Sequence, residues 1–457
     1  MTPTAVIDVV GLTPSLLGAD TPYLAALARN GVCVPLDTVT PAVTCTAQSS
    51  MLTGGWPRDH GVVANGWYFR DLAQIWLWRQ ANQLVGGEKV WDTARRRDPD
   101  CTCANLFWWF NMYSSADYAV TPRPIYPADG RKIPGTYSAP AELGERLTAE
   151  IGPFPFFSFW GPTAGLPSSE WIAEAALKVE AWHQPGLLLV YLPHLDYNLQ
   201  RLGPDHPDVR RDLHEIDRVC ARLIDGLRAA GKRVIVLSEY GITPVTGPIH
   251  VNRRLREAGL LRVREELGLE MLDAGASDAV AMADHQIAHV YVNAPERLAE
   301  VRALLEATPG IEAVLDRPAQ ADIGLDHPRS GELVAIAAAD RWFTYYYWLD
   351  DEVAPDFART VDIHRKPGYD PAELFLDPAL RLPRLRVAWT LARKRLGFRY
   401  LMRTIPLDAS LVRGSHGRLT DDPGAGPLLI STEPALVDRD RMHVTGVKDL
   451  ILAHLFD

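Results

Sequence analysis

The chain has 457 residues, of which 47% are hydrophobic and 23% charged, and a formal net charge of -10. That length exceeds one simple core, so one large α/β unit with insertions, or two units, is expected. The acidic balance without a basic tail argues against nucleic-acid binding, and no apolar run is long enough to cross a bilayer.

In chain order, the first signal is Ala5-Val6-Ile7, a short apolar run ending at Asp8. Such runs, bounded by turn-like or helix-like sequence, mark strands buried on both faces of a parallel sheet. The N-terminal stretch has no positively charged leader, and Asp8 interrupts its apolar run. The five cysteines (33, 45, 101, 103 and 220) are odd in number and lack metal-site spacing. A reducing, cytoplasmic setting is the expectation.

Thr40-Pro41-Ala42-Val43 predicts a loop running into a helix that begins near Thr44 and stops at Gly54-Gly55. A hydroxyl at that position has two readings. It caps the helix, or it serves as a nucleophile where free amides and the helix dipole favour an anion. From about residue 66 to 165 the sequence is irregular and aromatic, with Trp67-Tyr68-Phe69 and Phe107-Trp108-Trp109-Phe110. It reads as an insertion walling a pocket. The aromatic clusters are core by default and a wall for an apolar or ring-containing substrate otherwise.

Leu187–Leu192 is the second buried run, reaching Asp196 after a turn, and Arg233–Leu237 the third, ending at Ser238-Glu239. Between them Val209, Leu213, Ile216, Val219, Cys220, Leu223 and Leu227 follow helical spacing, giving a strand-helix-strand unit. Ligands in open parallel sheets bind beyond the strand carboxyl ends. Asp8, Asp196 and Glu239 on one such edge point to a cation site. A second irregular region, about 248 to 410, contains expected strands at 289–292 and 332–336. Within it, residues 382–406 carry seven Arg or Lys (384, 386, 393, 394, 395, 399 and 403) and no acid. Leu385, Trp389, Ala392 and Leu396 lie at helical spacing there. The stretch resembles a helix resting on an anionic surface; the alternative is a solvated or salt-bridged face.

The segment around Thr44 resembles the nucleotide pyrophosphatase/phosphodiesterase branch of the alkaline phosphatase superfamily. That family has a threonine opening a helix, then Thr-Gly, Pro-x-x-His-Gly and an Asn on the substrate phosphate. This chain has Thr44, Thr53-Gly54, Pro57-Arg58-Asp59-His60-Gly61 and Asn65 at matching intervals. The family's Asp-x-x-x-His-x-x-Gly-Pro corresponds to Asp196 through Pro204, with Gln200 at the histidine. Its Ser-Asp-His-Gly corresponds to Ser238-Glu239-Tyr240-Gly241, and its C-terminal His-Gly to His416-Gly417.

The resemblance implies an alkaline-phosphatase-like α/β/α sandwich with a mostly parallel sheet, one domain over 1–457 with insertions near 66–165 and 248–410. It implies a phosphodiesterase or pyrophosphatase working through a covalent phosphothreonine at Thr44, with Asn65 steadying a phosphoryl oxygen. Asp196, Gln200 and His416 would hold one metal, and Asp8, Thr44, Glu239 and Tyr240 a second. Zinc is the family's ion; Gln200, Glu239 and Tyr240 make the set oxygen-rich and suit magnesium, manganese or calcium. His364 is the preferred substitute ligand, then His285, then His194. Arg365 and Lys366, beside His364, would instead hold a phosphate.

The expected partner is a small phosphate ester, lipid-linked if the aromatic walls and the basic helix act together; the oligomeric state is left open. The altered ligands also allow a non-hydrolytic phospho-ligand-binding member of the fold. A sulfatase or phosphonatase is the third reading, though Cys45-Thr46-Ala47 does not supply the modified Cys/Ser-x-Pro-x-Arg setting of sulfatases.

Overall fold

The computed structural model describes residues 1–128 and 131–457; Asp129 and Gly130, within the first expected insertion, lie outside the described residues. Its centre is the strand Thr4–Val9, buried along its whole length. This strand pairs in parallel with Leu187–Leu192 on one side and Arg233–Leu237 on the other. Continuous Val, Ile and Leu runs suit strands covered on both faces, as the sequence implies. Asp8 sits inside its strand, paired across from Tyr191 and Leu237, rather than closing it.

Among the described residues the sheet has nine strands. Beyond Leu187–Leu192 it continues through Cys103–Leu106 and Tyr118–Pro122, both parallel, to the antiparallel edge Thr136–Ala139. On the other side come Leu428–Ser431 and Val32–Asp37, each antiparallel to its neighbour, then Met442–His443. The stretch 66–165 therefore contributes three strands to the main sheet as well as pocket walls. Those strands are short and interleave buried polar residues, Asn105 and Thr121, with apolar ones. Their periodicity is correspondingly faint in the sequence.

Two separate groups of helices clad the sheet. Val209–Ala229 packs on both Pro22–Asn30 and Pro167–His183, and Val447–Phe456 packs on both Thr44–Thr53 and Val90–Arg97. The predicted amphipathic face of Val209–Ala229 is the one buried, through Leu213, Ile216, Cys220, Leu223 and Leu227.

Residues 248–410 build a second, antiparallel sheet in the spatial order Ala279–Asp284, Ile287–Val292, Leu333–Ala337, Ile311–Leu315. It has its own apolar core, in which Tyr345, Tyr346, Tyr347 and Trp348 are all buried. The turn of its first hairpin, Asp284-His285-Gln286, reaches the carboxyl edge of the main sheet, where the Gln286 N–H donates to the His416 carbonyl at 2.9 Å. No helix among the described residues is long and apolar enough to cross a membrane.

Candidate active site

Thr44 is the first residue of its helix, and Val43, in extended conformation, is the cap. The capping role is thus not the threonine's. Its hydroxyl lies 3.1 Å from the Tyr240 hydroxyl in a buried environment. The helix ends where Gly54 turns left-handed with φ 75°, a conformation glycine adopts without strain.

One turn along the same helix face, Gln48 carries a contact that sequence reasoning missed. Its amide donates to Asp8 Oδ2 at 3.0 Å and to Glu239 Oε1 at 2.6 Å, while its carbonyl accepts the Trp109 N–H at 2.8 Å. Asp8 Oδ1 and Glu239 Oε2 are buried with no hydrogen-bond partner among the described residues. Burial pushes the Asp8 carboxyl up to about 7, against the lowering effect of its bonds to Glu239 and Gln48. Burial, followed by the Asp8 charge, raises Glu239 well above the carboxylate range. The signal for Gln48 was available: a position four residues beyond Thr44 falls on the same face of a helix.

Asp196 lies in the first turn of the helix His194–Leu202. Burial raises its carboxyl to about 6, with His285 and Gln200 opposing. Its two oxygens meet the Gln200 amide at 2.7 Å and the Tyr240 hydroxyl at 3.5 Å. The Gln200 carbonyl accepts from the Tyr369 hydroxyl at 2.9 Å. Gln200 and Tyr240, expected as metal ligands, are therefore committed to hydrogen bonds with Asp196, Tyr369 and Thr44.

His416 has the opposite character. Its Nδ1 is 2.8 Å from the Ala42 carbonyl, which can only accept, so Nδ1 carries the proton. Burial holds the ring well below its ordinary pKa, hence neutral, and Nε2 keeps its lone pair with no partner. A ring fixed by a backbone carbonyl with the other nitrogen free is the arrangement of a metal-binding histidine. Tyr240 stacks on His416 with centroids 3.6 Å apart, His285 lies 3.8 Å from it, and Tyr369 stacks on His285.

The remaining candidates divide. His285, second in the sequence ranking, joins the cluster, with Nδ1 2.7 Å from Asp284 Oδ1. His364, ranked first, lines the same cavity but makes no hydrogen bond to the carboxylates among the described residues. Burial, then the charges of Lys132 and Arg79, holds its pKa down to about 4. His194 faces away, toward Asp212 at 3.4 Å and Glu215 at 3.9 Å. Asn65, expected on the phosphate, accepts the Cys45 N–H at 3.0 Å and donates to Asp284 at 3.0 Å. It ties the start of the Thr44 helix to the hairpin turn carrying His285. Lys366, expected to hold phosphate, is buried between Asp370 and Glu373 at 2.7 Å each. Two carboxylates already satisfy its charge. Arg365 lines the cavity and lies 3.6 Å from Asp356.

Thr44, Asp196, Tyr240, His285 and His416 open onto a cavity of about 1980 Å³. Its walls are aromatic, with Trp76, Trp78, Trp109, Trp160, Tyr197 and Tyr369 among them. Arg79 and Lys132 add positive charge. Arg79, which lies over Trp76 at 3.9 Å, was not anticipated, because nothing local marks it as facing a site.

A family model described as type I phosphodiesterase / nucleotide pyrophosphatase matches residues 4–370. An uncharacterized pyrophosphatase/phosphodiesterase of Schizosaccharomyces pombe is 27% identical over 237 residues, 50% of this chain and 41% of that protein. The chain thus spans about two-fifths of that curated relative's length. Among solved structures, murine ectonucleotide pyrophosphatase/phosphodiesterase 5, as an inactive variant in complex with AMP, superposes with a TM-score of 0.59. That match has 14% identity and covers 100% of this chain and 95% of the other. Phosphonoacetate hydrolase from Sinorhizobium meliloti 1021, in complex with phosphonoformate, gives 0.61 at 15% identity, covering 99% and 96%. At these identities the structures share the alkaline-phosphatase-like fold.

Proposed function

This chain belongs to the type I phosphodiesterase / nucleotide pyrophosphatase family, and from that premise we propose that it hydrolyses a phosphate ester with Thr44 as nucleophile. The observation that carries the reading is a set of buried carboxyl groups with no cationic side chain bonded to them. Asp8, Asp196 and Glu239 are buried, no Lys or Arg bonds to them among the described residues, and His416, stacked on the Tyr240 that bonds Asp196, leaves Nε2 without a hydrogen-bond partner among those residues. Asp8, Asp196, Glu239 and His416 would hold divalent metal; their ligand atoms do not converge within 4.8 Å of one another here, and the group that does so among the described residues is His194, Asp212 and Glu215. Bound by the first four, the ion would offset the negative charge that a phosphoryl group and the threonine oxygen bring together.

The chain's own residues supply the rest. Thr44 sits at a helix start, where unpaired amides and the dipole favour an anion. The hydrogen-bonded run from Thr44 through Tyr240 to Asp196 gives the hydroxyl proton a path away as the oxygen attacks phosphorus. One ester oxygen leaves as the alcohol, and the phosphoryl group rests on Thr44 until water displaces it. Asn65 acts on this step through the Cys45 N–H, and Arg79 and Lys132 attract the anionic substrate into an aromatic cavity suited to an apolar or ring-bearing ester. We read residues 1–457 as one unit in which 248–410 forms the cap. Five unpaired cysteines accord with a reducing compartment.

One observation favours a second reading. The Gln48 amide stands between Asp8 and Glu239 and supplies donors there without an ion, as a phosphate-ester-binding protein without turnover would allow. The two readings separate on protein stripped with a chelator and assayed with bis(p-nitrophenyl) phosphate. Hydrolysis is expected to return with at least one of magnesium, manganese, calcium or zinc. Binding of the ester with no turnover under any of the four would establish the non-catalytic reading instead.

A further inference from the structure

The helix Pro383–Arg395 buries none of its described residues. Its apolar positions stand in solvent: Leu385 is 63% exposed, Trp389 66%, Leu396 75% and, just beyond, Phe398 57%. A helix of this length gains little from its backbone alone and is held in proteins by packing of an apolar face. Here that face has no partner among the described residues.

The charge around it is one-sided. Arg386, Arg393, Lys394, Arg395, Arg399 and Arg403 are present, no acid occurs from 382 to 406, and none of these six forms a salt bridge among the described residues. The rest of the protein is strongly acidic. A second copy placed face to face would bring two cationic surfaces together. An anionic bilayer answers both properties at once, with apolar side chains and the Trp389 ring entering the headgroup boundary and the cations meeting lipid phosphate.

The same segment leads to the active site. Leu401, 41% exposed, also lines the large cavity, as do the exposed Ile125 and Tyr126. The apolar surface thus continues from the helix over the cavity rim and onto its aromatic walls.

We propose that residues 382–401 seat the protein on an anionic lipid surface, from which the cavity takes a phosphate ester bearing a long apolar chain. The substrate half rests on the hydrolase reading above; the docking half does not. The test is co-sedimentation of the full-length protein with phosphatidylcholine vesicles, with and without phosphatidylglycerol. It is run beside the combined variant Trp389→Ser, Arg393→Ser, Lys394→Ser, Arg395→Ser. Wild type is expected to pellet only with the anionic vesicles, less so in high salt. The variant is expected to partition about 100-fold more weakly, since each surface cation contributes about fivefold.

In parallel, hexadecyl p-nitrophenyl phosphate in those vesicles should be cleaved more slowly by the variant, with bis(p-nitrophenyl) phosphate in solution cleaved at the wild-type rate. Equal pelleting with neutral vesicles, no pelleting, or a variant that pellets like wild type would overturn the docking surface. A wild-type dimer that the variant dissolves, without lipid binding, would assign the face to a second copy and overturn it too. Docking with cleavage of neither ester would sink the hydrolase reading and leave the surface standing. Docking with equal cleavage by both proteins would overturn delivery from the membrane.

Discussion

Replacing Thr44 with alanine is expected to lower bis(p-nitrophenyl) phosphate turnover on the order of 1000-fold or more, because it removes the atom proposed to attack phosphorus. The fold should survive. Thr44 Oγ1 is hydrogen-bonded to Tyr240 and also lowers the Glu239 pKa through a side-chain hydrogen bond, and Tyr240 keeps Asp196 as a second partner. The stability cost is about 1 kcal/mol for each hydrogen bond lost. Thr44→Ser should restore part of the rate, since it returns the hydroxyl to the helix start while losing the rotamer restriction of a branched side chain. Steady-state rates for the three proteins, with urea melts to confirm folding, check this. Equal rates for the alanine and wild-type proteins would remove Thr44 from the mechanism.

The largest effect on stability is expected at Lys366. Burial opposes its charge, but Asp370 and Glu373 hold its pKa above the ordinary value. Substitution by methionine leaves two buried carboxylates without their cation. Breaking a buried ion pair from one side costs about 3 to 5 kcal/mol. Glu373 also receives the Trp160 indole N–H at 2.5 Å and the Asp362 N–H at 2.8 Å, so the loss reaches the cavity wall. A urea midpoint for Lys366→Met that corresponds to less than about 1 kcal/mol, the worth of an exposed pair, would contradict the buried geometry.

These two residues show what the sequence makes legible. Three apolar runs, each followed by an acid, locate the centre of the sheet and one edge of the site, because burial on both faces demands uninterrupted Val, Ile and Leu. The motif around Thr44 places the proposed nucleophile at a helix start, because a helix start is set by local chemistry. Lys366 is another matter. A lysine beside an arginine reads as a phosphate clamp until the chain brings Asp370 and Glu373 around it. Similarly, the sequence favours His364 over His285, and it is the hairpin of the second sheet that brings His285 to Asp196 and His416. Gln48 was within reach of helical spacing. Asp284 and Arg79 were not, since their positions depend on how the 248–410 sheet and the aromatic wall fold against the main sheet.

The central claim is that Thr44 carries the phosphoryl group between two half-reactions. Metal-supplemented enzyme mixed with bis(p-nitrophenyl) phosphate and quenched in acid within the first turnover tests it directly. The predicted result is a burst of p-nitrophenolate together with a p-nitrophenylphosphoryl group on Thr44 in peptide mass spectra. Product release with Thr44 unmodified, or the adduct on another side chain, would contradict it.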